Sequence, residues 1–241
     1  NEMAFMGFYE VVINWKKIVA NIQFCKKDML AYYPDVVLLV DFPGFNLRIA
    51  KYAKSKGLKV FYYISPKVWA WNTSRVRSIK KYIDRMFVIF PFEKEFYKQW
   101  NYEVDYVGNP LLDAIEQRKK NPDFLKQNNL STQPIIALLP GSRKQEITHL
   151  LPTLLLLPKH FPDYQFVVAH LSSVPKSFYE KYIPSNVKIK FVTDQTYNLL
   201  EYSSAASVAS GTATLETALL EVPQVVCYKG NWISYQIAKR I

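Results

Sequence analysis

Two short glycine-containing turns in the second half of the sequence have compositions suited to holding an anion. Gly141 and Ser142 follow the apolar run IIALLP, and Ser210-Gly211-Thr212 follows the run ASVA. Each turn is expected to open a helix, whose first backbone N–H groups lack partners and attract negative charge. The alternative is an ordinary capped junction between a strand and a helix, which requires no ligand.

Two charged side chains beside these turns favour a phosphate-bearing ligand. Arg143 directly follows the first turn and carries a planar cation whose geometry matches phosphate. Glu216 lies about one turn into the second helix, where its carboxylate can accept hydrogen bonds from vicinal ribose hydroxyls. A carboxylate near a helix N-terminus also stabilises the helix dipole, so the role of Glu216 stays open. Together, the two turns are predicted to bracket one diphosphate.

A separate candidate residue lies in the first half of the sequence, in the segment LLVDFPGFN. Asp41 ends an apolar strand, which is where a general base would meet a substrate at the edge of a parallel sheet. Many aspartates at strand ends only cap the following helix, and that is the structural alternative. Asn46, just beyond, is expected either to orient a sugar hydroxyl or to cap a helix.

A stretch of tryptophans and basic residues indicates contact with an anionic surface or polymer. Its members are Trp69, Trp71, Arg75, Arg77, Lys80 and Lys81. Aromatic rings beside cations suit a lipid headgroup interface or single-stranded nucleic acid. Packed tryptophans next to a solvated basic helix would give the same pattern, and this stretch taken alone favours that structural alternative.

Composition limits the classes of partner and site. Aromatic residues make up 15% of the 241 residues, which indicates a sizeable core. The net charge is +11, which favours either anionic partners or plain solubility. Cys25 and Cys227 are the only cysteines, so neither a disulfide framework nor a thiolate metal site is supported. His149, His160 and His170 lack metal-ligand spacing and are expected at the surface or at helix ends. No apolar run approaches the ~20 residues of a membrane span, and a cytosolic setting is expected.

The elements that must position these residues alternate between strands and helices in two halves. Apolar runs of strand length, separated by helical stretches, predict parallel sheets in an α/β fold. We expect a Rossmann-like half-domain over residues 1–117, a connection over 118–134 and a second Rossmann-like half-domain over 135–241. The two halves are expected to face a cleft that takes ligand at the carboxyl ends of strands. Helices are expected over 8–33 and over 232–241, which predicts that the fold is truncated at both ends of this sequence.

Seven motifs resemble, in their order along the chain, those of the lipid-A-disaccharide synthase family. They are MGFYEVV, VDFPGFN, YYISPKVWAW, PFEKEFY, VDYVGNPLLD, LLPGSR and ASGTATLE. The resemblance covers nearly the whole chain and is more specific than any single glycine turn. It implies the GT-B glycosyltransferase fold and an inverting enzyme that uses no cofactor and no metal.

The implied reaction joins UDP-2,3-diacylglucosamine to 2,3-diacylglucosamine 1-phosphate and gives the β-1,6-linked lipid A disaccharide 1-phosphate and UDP. The resemblance implies that Asp41 is the catalytic base and that Arg143 and Glu216 belong to the site for the UDP-sugar. Gly44 and Asn109 stand where many members carry aspartate and histidine, so neither is given an acid–base role. A peripheral position on the cytoplasmic face of the inner membrane is also implied. The oligomeric state, a homodimer among the options, is left open.

Two other functions have to be separated from this one. Another UDP-sugar enzyme of the same fold, such as a UDP-N-acetylglucosamine 2-epimerase, would share the Glu216 site but would need no lipid-facing surface. A non-enzymatic nucleic-acid-binding protein would account for the basic charge and would bind RNA with a steep salt dependence. The sequence contains no RNP or KH signature, and no nucleic-acid partner is expected.

Overall fold

The computed structural model describes residues 15–229, which fold as two units. The first unit ends at Pro110 and the second begins at Leu111. The predicted boundary after residue 117 lies further along, just beyond the helix Pro110–Glu116. The predicted helical residues before 15 and after 229 lie outside the described range. Within that range, no helix combines the length and the apolar character that crossing a bilayer requires.

The first unit is a parallel sheet with helices packed on it. Its described strands are β1 (Val36–Val40), β2 (Lys59–Tyr63), β3 (Arg85–Val88) and β4 (Asp105–Tyr106), which lie side by side in that order. All three pairings are parallel, as expected for apolar strands that alternate with helices. The helices before and between these strands are Trp15–Tyr32, Pro43–Ser55, Val68–Trp71, Arg75–Tyr82 and Phe92–Lys98.

One helix of the first unit shows how its sequence sets its bounds. The helix Pro43–Ser55 begins at a proline, whose fixed φ suits the first helical position. It buries Ile49 and Ala53 in a cluster with Val60 of β2. After the helix, Gly57 adopts a φ of 77°, the left-handed conformation that glycine accepts without strain. Gly57 therefore ends the helix and lets the chain return to the sheet at β2.

The second unit is also built on a parallel sheet. Its described strands are β5 (Ile135–Leu139), β6 (Gln165–His170), β7 (Lys190–Thr193), β8 (Ser203–Ala209) and β9 (Gln224–Cys227), and their order across the sheet is β7-β6-β5-β8-β9. The helices of this unit are Phe124–Gln127, Lys144–Leu154, Lys176–Glu180, Thr196–Glu201 and Thr212–Leu219, with a 3-10 turn at Leu157–Lys159.

The direction in which strands are added reverses beside β5. From β5 the chain passes to β6 and β7 on one side, and β8 then returns to the other side of β5. Leu138 pairs with Ser207 and Leu139 with Val208, so β5 and β8 end at the same edge of the sheet. At such a reversal the two following helices diverge and leave a crevice at the carboxyl ends of the strands. The two glycine turns, which follow β5 and β8, therefore flank a topological switch point.

Residues 118–134, predicted as a connection, pack on the second unit. The ring of Phe124 is fully buried and stacks on Tyr202 with a centroid distance of 5.2 Å. Arg118 Nη2 lies 2.7 Å from Glu201 Oε1 in a largely buried ion pair. These contacts make the segment part of the core of the second unit rather than a loose linker.

We expect Phe124→Ala to destabilise the second unit by about 3–5 kcal/mol, because it leaves a cavity under Tyr202. Lys126→Ala, in the same short helix but without a buried side chain, serves as the control and should change stability by less than ~0.5 kcal/mol. Chemical denaturation followed by near-ultraviolet circular dichroism measures both. Equal stability of the two variants would mean that this segment does not belong to the core.

Candidate active site

The turn after β8 opens a helix that has no side-chain cap. Ser210 is anchored to the sheet, since its backbone N–H donates to the carbonyl of Cys227 at 2.9 Å. Gly211 has an extended backbone, with φ 161°, and a Cβ at this position would have no atom within 4 Å. The helix Thr212–Leu219 begins immediately afterwards, without a side-chain hydrogen bond at its N-cap. The protein itself therefore does not require glycine here, and the helix N-terminus is accessible to an anion.

The turn after β5 is different, because a carboxylate of the same helix closes it. Glu146 Oε2 accepts hydrogen bonds from the backbone N–H of Ser142 at 2.8 Å and of Arg143 at 3.3 Å. Gly141 adopts a φ of 112°, and a Cβ there would lie 2.3 Å from Glu146 Oε2. The backbone donors that the sequence led us to expect as exposed are thus occupied at Ser142 and Arg143. The signal for Glu146 was present, since glutamate at the third helical position is half of a capping box.

The Arg143 side chain remains largely exposed. Its Nη1 lies 3.7 Å from Glu146 Oε1, and 45% of the side chain is accessible to solvent. An exposed pair of this kind contributes about 0–1 kcal/mol, so it opposes the recruitment of Arg143 by another anion only weakly.

Glu216 is oriented by a tyrosine that the sequence analysis did not identify. The hydroxyl of Tyr197, in the helix Thr196–Glu201, donates a hydrogen bond of 2.8 Å to Glu216 Oε1. Burial, followed by the hydrogen bond to Glu216 and the charge of that carboxylate, together raise the pKa of Tyr197 to about 12. The phenol therefore stays protonated and keeps one carboxylate oxygen fixed. Spacing along the chain gave no sign of this pair, because the contact depends on how two helices pack on the sheet.

In the first unit, the chain is held in an unusual conformation at Asp41. Asp41 and Phe42 both adopt positive φ, 44° and 48°, directly after β1. The Asn46 side chain donates to the carbonyls of Val40 at 2.9 Å and of Asp41 at 2.6 Å, and the Tyr62 hydroxyl donates to the Asp41 carbonyl at 2.5 Å. These bonds fix the backbone of Asp41, while its carboxylate forms no hydrogen bond or ion pair with residues 15–229. Asn46 gives both amide hydrogens to the backbone, so it positions Asp41 in this structure.

A small pocket opens beside Asp41. Its volume is about 260 Å³, and it is lined by Asp41, Pro43, Ile64, Ser65, Pro66, Lys67, Val68, Asn72 and Arg75. All of these residues belong to the first unit, and we refer to this space as the Asp41 pocket. The carboxylate of Asp41 and the cations of Lys67 and Arg75 all line this opening. The sequence analysis did not predict that Lys67 or Arg75 would lie beside Asp41.

A buried carboxylate lies behind this pocket. Glu93 is 1% exposed, and its Oε2 accepts a hydrogen bond of 3.0 Å from the backbone N–H of Phe90. Burial raises the pKa of the Glu93 carboxyl above its ordinary value of 4.5, although hydrogen bonds from Phe90, Trp69 and Ser65 oppose the shift. Ser65 also lies 2.7 Å from the hydroxyl of Tyr97. This polar cluster fixes the segment that forms the wall of the pocket.

The predicted tryptophan and basic stretch is partly packed and partly exposed. Trp69 is 37% exposed and packs edge-on against Phe92 at 5.0 Å, while hydrogen bonding with Glu93 engages its indole. For Trp71 the structure describes the backbone only, at the end of the helix Val68–Trp71. In the helix Arg75–Tyr82 the apolar face is buried, and the exposed basic residues are Arg77, Lys80 and Lys81.

The histidines divide between surface and core. His149 and His160 are exposed, as expected, but His170 at the end of β6 is only 6% exposed. Its Nε2 lies 2.8 Å from the Val174 carbonyl and its Nδ1 lies 3.0 Å from Thr193 Oγ1, so it is a satisfied core residue and not a surface one. In the part of the chain that the structure describes, no three His, Cys, Asp or Glu side chains form a group that could hold a metal.

Comparison with protein families and curated proteins identifies relatives over the whole chain. The sequence profile of the lipid-A-disaccharide synthetase family matches residues 1–241. Lipid-A-disaccharide synthases of Syntrophus aciditrophicus and Trichlorobacter lovleyi are each 39% identical to this chain, and one from Coxiella burnetii is 36% identical. In the first two alignments all of this chain is covered, but only 64% of the relative. The chain thus spans about two thirds of the length of the curated relatives that it matches.

Comparison with solved structures identifies the fold class. The UDP co-structure of MnaA from S. aureus has a TM-score of 0.65 and 14% identity, covering 88% of this chain and 62% of that one. The UDP-GlcNAc 2-epimerase of Neisseria meningitidis, bound to UDP-GlcNAc, has a TM-score of 0.60 and 16% identity, covering 97% and 68%. At such identities the likeness concerns the fold alone. The predicted fold class, two Rossmann-like half-domains of GT-B type, is confirmed.

The buried Glu93 carboxyl predicts a pH-dependent stability. The pKa of the Glu93 carboxyl is raised in the folded protein, so with rising pH this carboxyl loses its proton in the unfolded chain before it does so in the folded one. The free energy of unfolding therefore falls as pH rises from about 4.5 to the pKa of Glu93 in the folded protein. Glu93→Gln removes the ionisable group and with it this fall in stability, and its amide oxygen can still accept the hydrogen bond from the Phe90 N–H. The variant should therefore gain stability relative to the parent as pH rises through this window, then hold a constant difference.

Urea denaturation between pH 4 and pH 8 checks this prediction. Glu95→Gln removes an exposed carboxylate from the same helix and controls for the change in net charge. A stability difference between Glu93→Gln and the parent that stays constant over the whole range would contradict the prediction.

Proposed function

Because the chain belongs to the lipid-A-disaccharide synthetase family, we propose that the protein is an inverting glycosyltransferase that builds the lipid A disaccharide. Its substrates are UDP-2,3-diacylglucosamine and 2,3-diacylglucosamine 1-phosphate, and its products are the β-1,6-linked disaccharide 1-phosphate and UDP. The observation that carries this proposal is the position of the two glycine turns at the switch point between β5 and β8. That is where sheets of this type bind nucleotides.

In this proposal the second unit binds the UDP portion of the sugar nucleotide. The diphosphate lies at the start of the helix Thr212–Leu219, against Ser210 and Gly211, where no side chain caps the backbone donors. Arg143 leaves its weak contact with Glu146 and pairs with the diphosphate, across the turn that contains Gly141 and Ser142. Glu216, held by Tyr197 through one oxygen, uses its other oxygen for the ribose hydroxyls.

Asp41 acts on the acceptor in the same proposal. Its carboxylate takes the proton of the 6-hydroxyl as that oxygen attacks the anomeric carbon of the UDP-sugar. An ordinary aspartate is a weak base, so alignment of the hydroxyl supplies most of the acceleration. The departing UDP gains negative charge, which Arg143 and the backbone donors beside Gly211 stabilise.

A peripheral position on the cytoplasmic face of the inner membrane fits substrates that carry acyl chains. What supports it is the exposed basic side of the helix Arg75–Tyr82 together with the partly exposed ring of Trp69. Each cation near an anionic lipid surface contributes about 1 kcal/mol.

A UDP-N-acetylglucosamine 2-epimerase is the second candidate, because solved structures of this fold include such enzymes. The sequence relatives favour the transferase, since they are 36–39% identical whereas the epimerase structures are 14–19% identical. Incubation with UDP-N-acetylglucosamine separates the two. Formation of the 2-epimer without any acceptor would favour the epimerase.

The two glycines predict opposite effects of a single methyl group. Gly211→Ala should leave folding stability unchanged within about 0.5 kcal/mol, because its Cβ would enter open space. The same methyl would stand where the diphosphate approaches, so UDP affinity should fall about 10- to 100-fold, the equivalent of one lost hydrogen bond to a charged group. Gly141→Ala should instead lower stability, because its positive φ and the contact with Glu146 exclude a side chain.

Isothermal titration with UDP and thermal unfolding of each variant measure these effects. If Gly211→Ala bound UDP as tightly as the parent protein, the helix Thr212–Leu219 would not be the diphosphate site.

Replacement of Asp41 tests the role of the general base. Asp41→Asn keeps the shape of the side chain and should lower turnover by about 10²–10⁴-fold, while UDP affinity stays nearly unchanged. Turnover is measured in protein extended to the length of the curated relatives, of which this chain spans 64%. Gly44→Ala, an exposed change near Asp41 with no atom within 4 Å of the new Cβ, controls for a local disturbance. Parent-like turnover of Asp41→Asn across the pH range would exclude Asp41 as the base.

A further inference from the structure

We propose that Tyr197 is a positioning residue that makes the nucleotide site of the second unit selective for ribose hydroxyls, by fixing the carboxylate of Glu216 before the ligand binds. The inference rests on the proposed transferase function, in which Glu216 meets the ribose, and it assigns the choice between sugars to a second residue. Tyr197 belongs to none of the seven motifs in the sequence, so the proposal adds a specificity-determining residue to the site.

The contact between the two side chains lies at the carboxyl edge of the second sheet. Tyr197 is the second residue of the helix that follows β7, and Glu216 lies one turn into the helix that follows β8. Because the described strands of this sheet are all parallel, both helices begin at the edge that also carries the turns of Gly141 and Gly211. The hydrogen bond between Tyr197 and Glu216 therefore lies at the edge where the UDP is proposed to bind.

The helix that carries Tyr197 is anchored in the core. Leu199 and Leu200 are fully buried and belong to one cluster with Val208 of β8. The phenol thus projects from a backbone that packing holds in place, and it donates a hydrogen bond of 2.8 Å to Glu216 Oε1. The raised pKa of the phenol keeps the donor proton in place at neutral pH. A donor on such a rigid element can orient the carboxylate that accepts from it.

Glu216 keeps one carboxylate oxygen for a ligand. Within residues 15–229, its Oε2 accepts no hydrogen bond and its carboxylate forms no ion pair. An ionised carboxylate only accepts hydrogen bonds, so its partner in the ligand must be a donor. The diphosphate offers acceptors at neutral pH, whereas the ribose offers two adjacent hydroxyls and the base one N–H. The adjacent hydroxyls are the donors that the proposal assigns to Oε2.

Fixing the carboxylate in advance lowers the entropic cost of this contact. A glutamate side chain has three rotatable bonds and loses much rotamer freedom when it is ordered. The hydrogen bond from Tyr197 removes part of that freedom in the free protein, so a smaller loss remains when the ligand binds. A simple tether between two helices is the structural alternative. Such a tether would affect stability but not the choice between two ligands.

Calorimetric titration of the full chain with UDP and with 2′,3′-dideoxyuridine 5′-diphosphate tests the proposal, because the second compound lacks both ribose hydroxyls. The parent protein should bind UDP about 10- to 100-fold more tightly, the equivalent of a hydrogen bond to a charged group. Tyr197→Phe removes only the hydroxyl and should lower this preference about 3- to 10-fold. Its affinity for the dideoxy compound should change by less than about twofold, since that compound makes no contact with Glu216.

Tyr202→Phe is the matched control. The Tyr202 hydroxyl, directly after the same helix, donates to the carbonyl of Asn121 at 2.9 Å and so makes a comparable bond away from Glu216. Its removal should leave the preference for UDP within about twofold of the parent value. In a Glu216→Ala background, Tyr197→Phe should also change neither affinity by more than about twofold, because its effect passes through the carboxylate.

Three results would overturn the role of Tyr197. They are a parent-like preference in Tyr197→Phe, an equal fall in Tyr202→Phe, and a further loss on adding Tyr197→Phe to Glu216→Ala. Equal affinity of the parent protein for both compounds would also overturn the proposal, because the site would then recognise no ribose hydroxyl.

Two features of the design keep the result decisive. Both compounds are titrated into one preparation, so a partly unfolded variant shows fewer sites but the same ratio of affinities. If Tyr197→Phe did not fold, Glu216→Asp would decide, because it keeps the charge but is one carbon too short to keep the carboxylate at the Tyr197 hydroxyl. A parent-like preference in Glu216→Asp would overturn the proposal. Tight UDP binding without any preference would reject only the ribose selectivity, whereas failure to bind either compound would reject the nucleotide site and with it the proposed transferase.

Discussion

The pairing of β5 with β8 is the constraint on which the candidate nucleotide site depends. Two strands, β6 and β7, are added on one side of β5, and the chain then returns to form the parallel strand β8 on the other side. Because Leu139 pairs with Val208, the turns after both strands reach the same edge of the sheet. Without that register, the glycine turns would be unrelated loops. With it, an arginine and a glutamate that lie far apart in the sequence follow neighbouring strands.

The two turns use glycine for different physical reasons. At Gly141 the protein itself needs the absence of a side chain, because φ is positive and Glu146 packs against the Cα. At Gly211 the backbone is extended and the space around it is empty, so the fold itself does not require glycine there. A glycine that the fold does not require is a better indicator of a ligand than one that it does. Two glycine turns that look equivalent in the sequence thus have different structural requirements for glycine.

The strands and their parallel direction could be predicted from the sequence because apolar runs alternate with helical stretches throughout. In the structure, the bounds of the helix Pro43–Ser55 are set by a proline and a glycine, which act locally. Contacts that depend on packing could not be found in this way. Tyr197 meets Glu216 only after two helices have packed on one sheet, and Lys67 meets Arg75 and Asp41 only across a pocket. The segment 118–134 looked like a linker because it is polar, yet one fully buried ring at Phe124 fixes it to the second unit.

Glu146 has a consequence for which anions can occupy the first turn. Its carboxylate is tethered a few atoms from the N–H groups of Ser142 and Arg143, so it competes at an effective concentration in the millimolar range or above. To bind at this turn, chloride, acetate and other small monovalent ions must displace the Glu146 carboxylate, and each such ion can make only one contact. A ligand that also engages the uncapped helix at Thr212 and the carboxylate of Glu216 gains the advantage of several linked contacts. In the proposed nucleotide site, this internal cap would therefore favour ligands with several points of attachment over small monovalent ions.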